Sequence, residues 1–219
     1  MDACWQGSLF APVESRAGPG LETAFRHELT DGAWVDVVPG WVSGPDALFD
    51  LLCATVPFRG HRRRMYDRMV DEPRLTHRWL LGGQAMPGND VPERLRTMAG
   101  ELGAHYGPTF TQVGANLYRD GADGVAWHGD RVARERPEAV VALVALGATR
   151  PLRLRPTGGG ASIAFPLASG DLLVMGGTCQ RTWQHSVPKT ATACGPRISV
   201  QFRHLYPGAP EVRPSGAAT

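Results

Sequence analysis

His128 and Asp130, in the stretch WHGDRV at 127 to 132, set an imidazole and a carboxylate two residues apart, just after the glycine-rich turn DGADG. In an extended strand the side chains at i and i+2 leave the same face, so this pair can aim at one point. A metal site is one reading of the spacing. A polar turn beside a buried tryptophan is the other, and two ligands alone do not decide between them.

The best candidate for a third ligand is His185, in CQRTWQHSVPK after the apolar run DLLVMGG. Two histidines and one carboxylate on one side of an iron leave positions open for a chelating cosubstrate and O2, the arrangement of non-haem Fe(II) oxygenases. The competing reading is a chance pair plus a histidine satisfied in the core. RISVQFR at 197 to 203 shifts the balance. As a strand it puts Arg197, Ser199, Gln201 and Arg203 on one face and Ile198, Val200 and Phe202 on the other, facing the core. The arginine Cα atoms stand ~20 Å apart, but both side chains are long enough to lean together. Guanidinium grips carboxylate with two parallel bonds, so two arginines converging in a polar cavity point to a small dicarboxylate. A solvated edge strand with two surface arginines is the alternative.

The elements that must position these groups can be read from the apolar pattern. At 219 residues the chain is long enough for one domain with a sizeable core. Cys4, Cys53, Cys179 and Cys194 form no CxxC pair, which argues against a zinc ribbon or thioredoxin-like motif and suits a reducing compartment at least as well as a disulfide framework. No 18-residue apolar stretch and no signal-peptide pattern is present. The expectation is a cytoplasmic protein with no membrane partner. The net charge of +2 says little, but RGHRRRMYDR at 59 to 68 gathers five arginines and one histidine against one acid.

Residues 1 to 30 read as an irregular arm. AWVDVVPGWV suggests a strand ending at Pro39-Gly40, and Ser43 or Gly44 precedes a helix whose first residue is Pro45. The arginine-rich segment reads as an extended hairpin running to Pro73, and 77 to 90 as a loop. Asp90 is the expected N-cap of the next helix, with Pro92 in its first turn and Leu95, Met98 and Leu102 along one face. From Phe110 short β-like runs alternate with glycine-rich turns, the mark of a sandwich or barrel. The expected fold is mainly β with flanking helices (α+β), an N-terminal layer over 31 to 105 packed on a jelly-roll core over 106 to 207, with 208 to 219 a tail.

Taken in order, NLY (116 to 118), HGD, His185 within WQHSVPK, and RISVQFR, preceded by MYDR (65 to 68) and PRLT (73 to 76), make the chain resemble the AlkB family of Fe(II)- and 2-oxoglutarate-dependent dioxygenases over roughly residues 55 to 205. The resemblance implies a double-stranded β-helix core with an N-terminal nucleotide-recognition lid. It also implies Fe(II) held by the catalytic triad His128, Asp130 and His185, with 2-oxoglutarate and O2 completing the site. Arg197 would then grip the distal carboxylate with help from Tyr118, while Arg203 and Asn116 lie near the metal end. Strand parity agrees, since Asn116 and Tyr118 share a face and Leu117 points away. Family members often have asparagine where this chain has Ser199, a shorter donor in the cosubstrate pocket.

The implied activity is repair of alkylated nucleobases in DNA or RNA by oxidative dealkylation, releasing aldehyde, succinate and CO2, with a monomer as the working unit. A base in a duplex must be flipped out or presented single-stranded and held on a π surface. His128 offers one face. Trp79, by its position after PRLT, resembles the aromatic that forms the other, with Tyr66 a second candidate; ordinary core is the competing reading for Trp79. Arg62, Arg63, Arg64 and Arg74 are candidates for phosphate contacts, against a plain solubility role. Val132 stands where repair enzymes of the family often place an acid near the base, and valine accepts no hydrogen bond. The other function classes are a dioxygenase of a protein or small molecule and a catalytically silent jelly-roll module, which an intact triad and both arginines disfavour.

Overall fold

VALVALG and LLVMGG are apolar at nearly every position, with no alternation, and such strands must be covered on both faces. In the computed structural model, which describes residues 18–65, 67–82, 90–130 and 138–204, they are central strands of the larger of two sheets. The strands are β1 (Phe25–Glu28), β2 (Ala33–Val38), β3 (Arg59–Met65), β4 (Arg68–Leu80), β5 (Gln112–Tyr118), β6 (Val125–His128), β7 (Val141–Gly147), β8 (Arg150–Pro156), β9 (Ile163–Leu167), β10 (Leu172–Gly177), β11 (Trp183–Val187) and β12 (Arg197–Arg203). The helices are α1 (Pro45–Thr55), α2 (Glu93–Tyr106) and the single turn α3 (Cys179–Thr182).

Eight strands run in the order β1-β2-β10-β7-β12-β5-β4-β3, and four in the order β6-β11-β8-β9. Every pairing is antiparallel, giving the jelly roll expected from the sequence. One apolar cluster fills the space between the sheets, with Leu143, Leu152, Leu154, Phe165 and Met175. A second joins the outer face of the large sheet to α1 and α2 through Leu48, Phe49, Leu52, Leu95, Met98 and Leu102. Along β12, Ile198, Val200 and Phe202 belong to this helix-side cluster, so the arginine face looks between the sheets. Because β12 lies between β7 and β5, the reading of RISVQFR as a solvated edge strand is excluded.

Several local expectations need correction. The arm at 1 to 30 is not wholly irregular: β1 pairs with β2, fastened by Arg26, which donates to both oxygens of Asp36 at 2.7 and 2.8 Å and lies 4.0 Å from the Trp34 ring centroid. All four β1 residues are exposed, so no alternation betrayed it. Residues 77 to 80 are not loop but the end of β4, held in register by β5 from Leu75 opposite Leu117 to Leu80 opposite Gln112. The residues 83–89 lie outside those described. Asp90 does not cap α2, which starts at Glu93 with Pro92 before it and no side-chain cap. Of the two residues offered before Pro45, Gly44 is the cap, with φ of 56°, a conformation that glycine takes without a Cβ penalty. The strand at Ala33 does end before Pro39-Gly40, and β3 and β4 form the expected hairpin.

Candidate functional site

His128 reaches the interior because β6 is bulged against β11. His185 pairs with His128 and Val187 with Val125, so Ala126 and Trp127 together oppose Ser186. A bulge flips strand parity at that point. Val125 and His128 therefore both turn inward, while Trp127 faces out beneath Arg155, whose guanidinium carbon is 4.3 Å from the ring centroid. The imidazole is then oriented by its own strand: Nδ1 lies 2.8 Å from the Ala126 carbonyl oxygen, which can only accept. Nδ1 thus carries the proton and Nε2 is left as a bare donor of electrons to a metal.

Asp130 follows one turn of extended chain later. Gly129 between them is required by close approach, since a Cβ there would sit 2.6 Å from the Gln180 carbonyl oxygen. Gln180, in α3, also accepts the Asp130 amide hydrogen through Oε1 at 3.0 Å. The ligand-capable atoms of His128, Asp130 and His185 all lie within 4.8 Å of one another. The two rings stand 4.3 Å apart, centroid to centroid, and His128 Nε2 is 4.0 Å from Asp130 Oδ1.

The electrostatics prepare this cluster for a cation. Burial pushes the Asp130 carboxyl upward, but Arg203, with help from His185 and His128, outweighs it and holds the group well below the usual carboxylate range. Arg203 does this by direct contact, donating from Nε to Oδ2 at 2.7 Å and from Nη2 to Oδ1 at 3.2 Å. Burial pushes His185 down to about 3 despite the pull of Asp130, so its imidazole is neutral at physiological pH. One ionised carboxylate and a neutral imidazole beside a second, tautomer-fixed imidazole form a donor set that suits Fe(II).

Further along the inward face of β12, away from Arg203, the polar residues meet β5 and the start of β8. Arg197 is fully buried and opposite Tyr118, and Ser199 is opposite Asn116. Arg197 donates from Nη1 to the Arg150 carbonyl at 2.6 Å and from Nε weakly to Ser199 Oγ at 3.4 Å, while Nη2 is buried with no partner. Burial pushes its guanidinium down to about 10. A buried guanidinium with an open N–H fits the carboxylate of a small acid. Arg203 and Arg197 thus serve opposite ends of the polar face, one at the triad and one at the far wall.

The substrate-side expectations fare unevenly. Trp79 is not at the site. It is 2% exposed in the helix-side cluster, opposite Val113 and edge-on to His77 at 4.5 Å, on the sheet face away from the triad. Its role is core packing, because the β4 residues that share the Asn116 face are Arg74, Thr76 and Arg78. Arg74 is mostly buried, paired with Glu72 at 2.9 Å, and its charge reaches Tyr118. Arg62 is exposed and paired with exposed Asp71 at 3.2 Å. Tyr66, Val132 and the side chains of Arg63 and Arg64 lie outside what is described.

Three contributors escaped the sequence reading. Gln180 buttresses the HGD turn, and Arg150 is a fully buried arginine at the start of β8. Arg78 lies opposite Gly114, where a Cβ would meet Arg203 Nη1 at 3.2 Å, and partial desolvation together with Arg203 lowers its pKa. The period-2 alternation of PRLTHRWL, followed from Arg74, would have found Arg78.

The 2OG-Fe(II) oxygenase superfamily matches residues 61–203. The human alpha-ketoglutarate-dependent dioxygenase alkB homolog 3 is 32% identical over 199 residues, covering 80% of this chain and 68% of that protein. The human DNA oxidative demethylase ALKBH2 is 33% identical over 127 residues, covering 54% of this chain and 48% of that one. Among solved structures, OsALKBH1 superposes with a TM-score of 0.58 at 15% identity, over 81% of this chain and all (100%) of that one.

Proposed function

This chain belongs to the AlkB family of the 2OG-Fe(II) oxygenase superfamily, and from that premise we propose that it removes alkyl groups from nucleobases of DNA or RNA by oxidation. His128, Asp130 and His185 would hold Fe(II), and Arg197 would take the distal carboxylate of 2-oxoglutarate. The observation that carries the reading is the convergence of the three ligand atoms at one end of the polar β12 face, where Arg203 holds Asp130, with a fully buried arginine carrying an unpartnered nitrogen at the other end. Bound iron supplies, with 2-oxoglutarate and O2, the oxidation of the N-alkyl carbon; the resulting hemiaminal breaks down to an aldehyde and the restored base.

The chain's own residues have distinct tasks. Arg203 keeps Asp130 ionised and fixed in direction. The Ala126 carbonyl fixes the His128 tautomer. Tyr118 and Asn116 line the cosubstrate from β5. Arg78 stands at the mouth, an exposed cation beside Arg203, and among the described residues it has no acidic partner. It is a better phosphate contact than Arg74, which Glu72 already occupies. We further infer a monomer working in the cytoplasm, consistent with three described cysteines that form no disulfide among the described residues. No described helix is long and apolar enough to cross a membrane.

The test is an aldehyde-release assay with Fe(II) and 2-oxoglutarate across methylated, ethylated and etheno-modified single and double strands of DNA and RNA. Release from at least one strand is expected. Cosubstrate binding without release from any member would redirect the chemistry to a protein or small molecule.

A further inference from the structure

Arg150 is a buried cation that the proposed chemistry leaves without a task. It opens β8, is 2% exposed, and has no carboxylate partner among the described residues. Nη1 donates to the Asp120 carbonyl at 3.0 Å, and Nη2 to the carbonyls of Asp123, at 2.9 Å, and Pro188. Nε–H is buried with nothing to bond. The nearby Asp123 carboxylate is committed to Arg119, which donates to it from Nε at 2.8 Å and Nη2 at 2.9 Å. A charge kept in a dry interior on carbonyl dipoles alone is costly, and the cost is offset when a matching anion enters.

Arg197 lies beside it in the same condition. Its Nη1 bonds the Arg150 carbonyl at 2.6 Å and its Nη2 is unpartnered. Tyr118 stands against both: it is the cross-strand neighbour of Arg197, and its ring centroid is 5.7 Å from the Arg150 guanidinium carbon. Two buried guanidinium groups flanking one tyrosine, each with one unpartnered nitrogen, make a two-sided cradle for a single carboxylate. The shorter Ser199 reaches only one of them, through a 3.4 Å contact with Arg197 Nε.

Resting on the 2-oxoglutarate reading above, we propose that Arg150 is a second arginine of the cosubstrate pocket, its Nε–H joining Arg197 Nη2 on the distal carboxylate. The same side chain ties that end of the pocket to both histidine-bearing strands. Asp120 and Asp123 form the turn entering β6, which ends at His128, and Pro188 directly follows β11, which carries His185. Those contacts use Nη1 and Nη2, which leaves Nε–H for the carboxylate.

The experiment compares two ligands by calorimetry on the Mn(II)-loaded full chain without oxygen: 2-oxoglutarate and 2-oxopentanoate, which has a methyl group in place of the distal carboxylate. In Arg150→Gln, 2-oxoglutarate affinity should fall about tenfold or more, the size of a lost hydrogen bond to a charged group, while 2-oxopentanoate affinity changes less than about twofold. Arg150→Lys, which keeps the charge but not the fork, should fall between wild type and Arg150→Gln, and it carries the test if Arg150→Gln does not fold. An equal loss for both ligands would overturn the proposal and leave Arg150 a structural clamp. If wild type itself fails to prefer 2-oxoglutarate over 2-oxopentanoate, the cosubstrate assignment falls first and the proposal with it.

Discussion

The interior of the jelly roll and the β3–β4 hairpin both depend on arginine, under opposite conditions. Arg150 and Arg197 are buried and locked by backbone carbonyls, and Arg203 is locked onto Asp130. Arg62, on the hairpin, leaves 64% of its side chain exposed and pairs with an Asp71 side chain that is 85% exposed. In a dry site a guanidinium fixes one geometry and demands an anion; in water it contributes a screened, adaptable charge. The division matches the two jobs proposed here: invariant oxidation chemistry inside, and contact with a long, variable polyanion outside.

Substitutions can break that contrast, beginning with the interior. Asp130→Ala should abolish both metal binding and 2-oxoglutarate turnover, and leaving the partly buried Arg203 without its partner should cost about 1–3 kcal/mol of stability. Metal titration and denaturant unfolding read the two effects separately. Trp79→Ala should destabilise by about 3–5 kcal/mol through the cavity it opens, while oligonucleotide affinity of the folded fraction stays unchanged. A loss of affinity at normal stability would return Trp79 to the base. Arg197→Ala should weaken 2-oxoglutarate binding about a hundredfold or more, with Mn(II) affinity intact.

The exterior should respond more gently. Arg78→Ala is expected to weaken binding of an alkylated oligonucleotide a few-fold and to reduce the slope of log affinity against log salt by about one. Decarboxylation without nucleic acid should be spared. Arg62→Ala should change stability by less than about 1 kcal/mol, as an exposed pair does. Any effect it has on oligonucleotide affinity should vanish at high salt.

The polar face of β12 and the Asn116–Tyr118 face of β5 were legible because period 2 is rigid: once the apolar residues face the helices, the arginines have nowhere to point but inward. The triad was legible from the HxD spacing and a later histidine, although the bulge that turns His128 inward is invisible in sequence. Trp79 misled because it was matched by its position after PRLT rather than by parity along β4. Arg150 carried no local signal, since its carbonyl partners lie 30, 27 and 38 residues away. Gln180 was hidden for the same reason, 50 residues from Asp130. β1 and the last four residues of β4 were missed because one has no buried face and the other reads as glycine-flanked loop.

The most direct measurement follows succinate and aldehyde together, in the presence of Fe(II), 2-oxoglutarate and O2, as an alkylated oligonucleotide is added. With the correct lesion, succinate production should rise above its level without oligonucleotide, and the increase should equal the aldehyde released. Asp130→Ala should give neither product. Succinate formation that is insensitive to every alkylated DNA and RNA strand, with no aldehyde, would contradict the assignment of nucleobases as substrates.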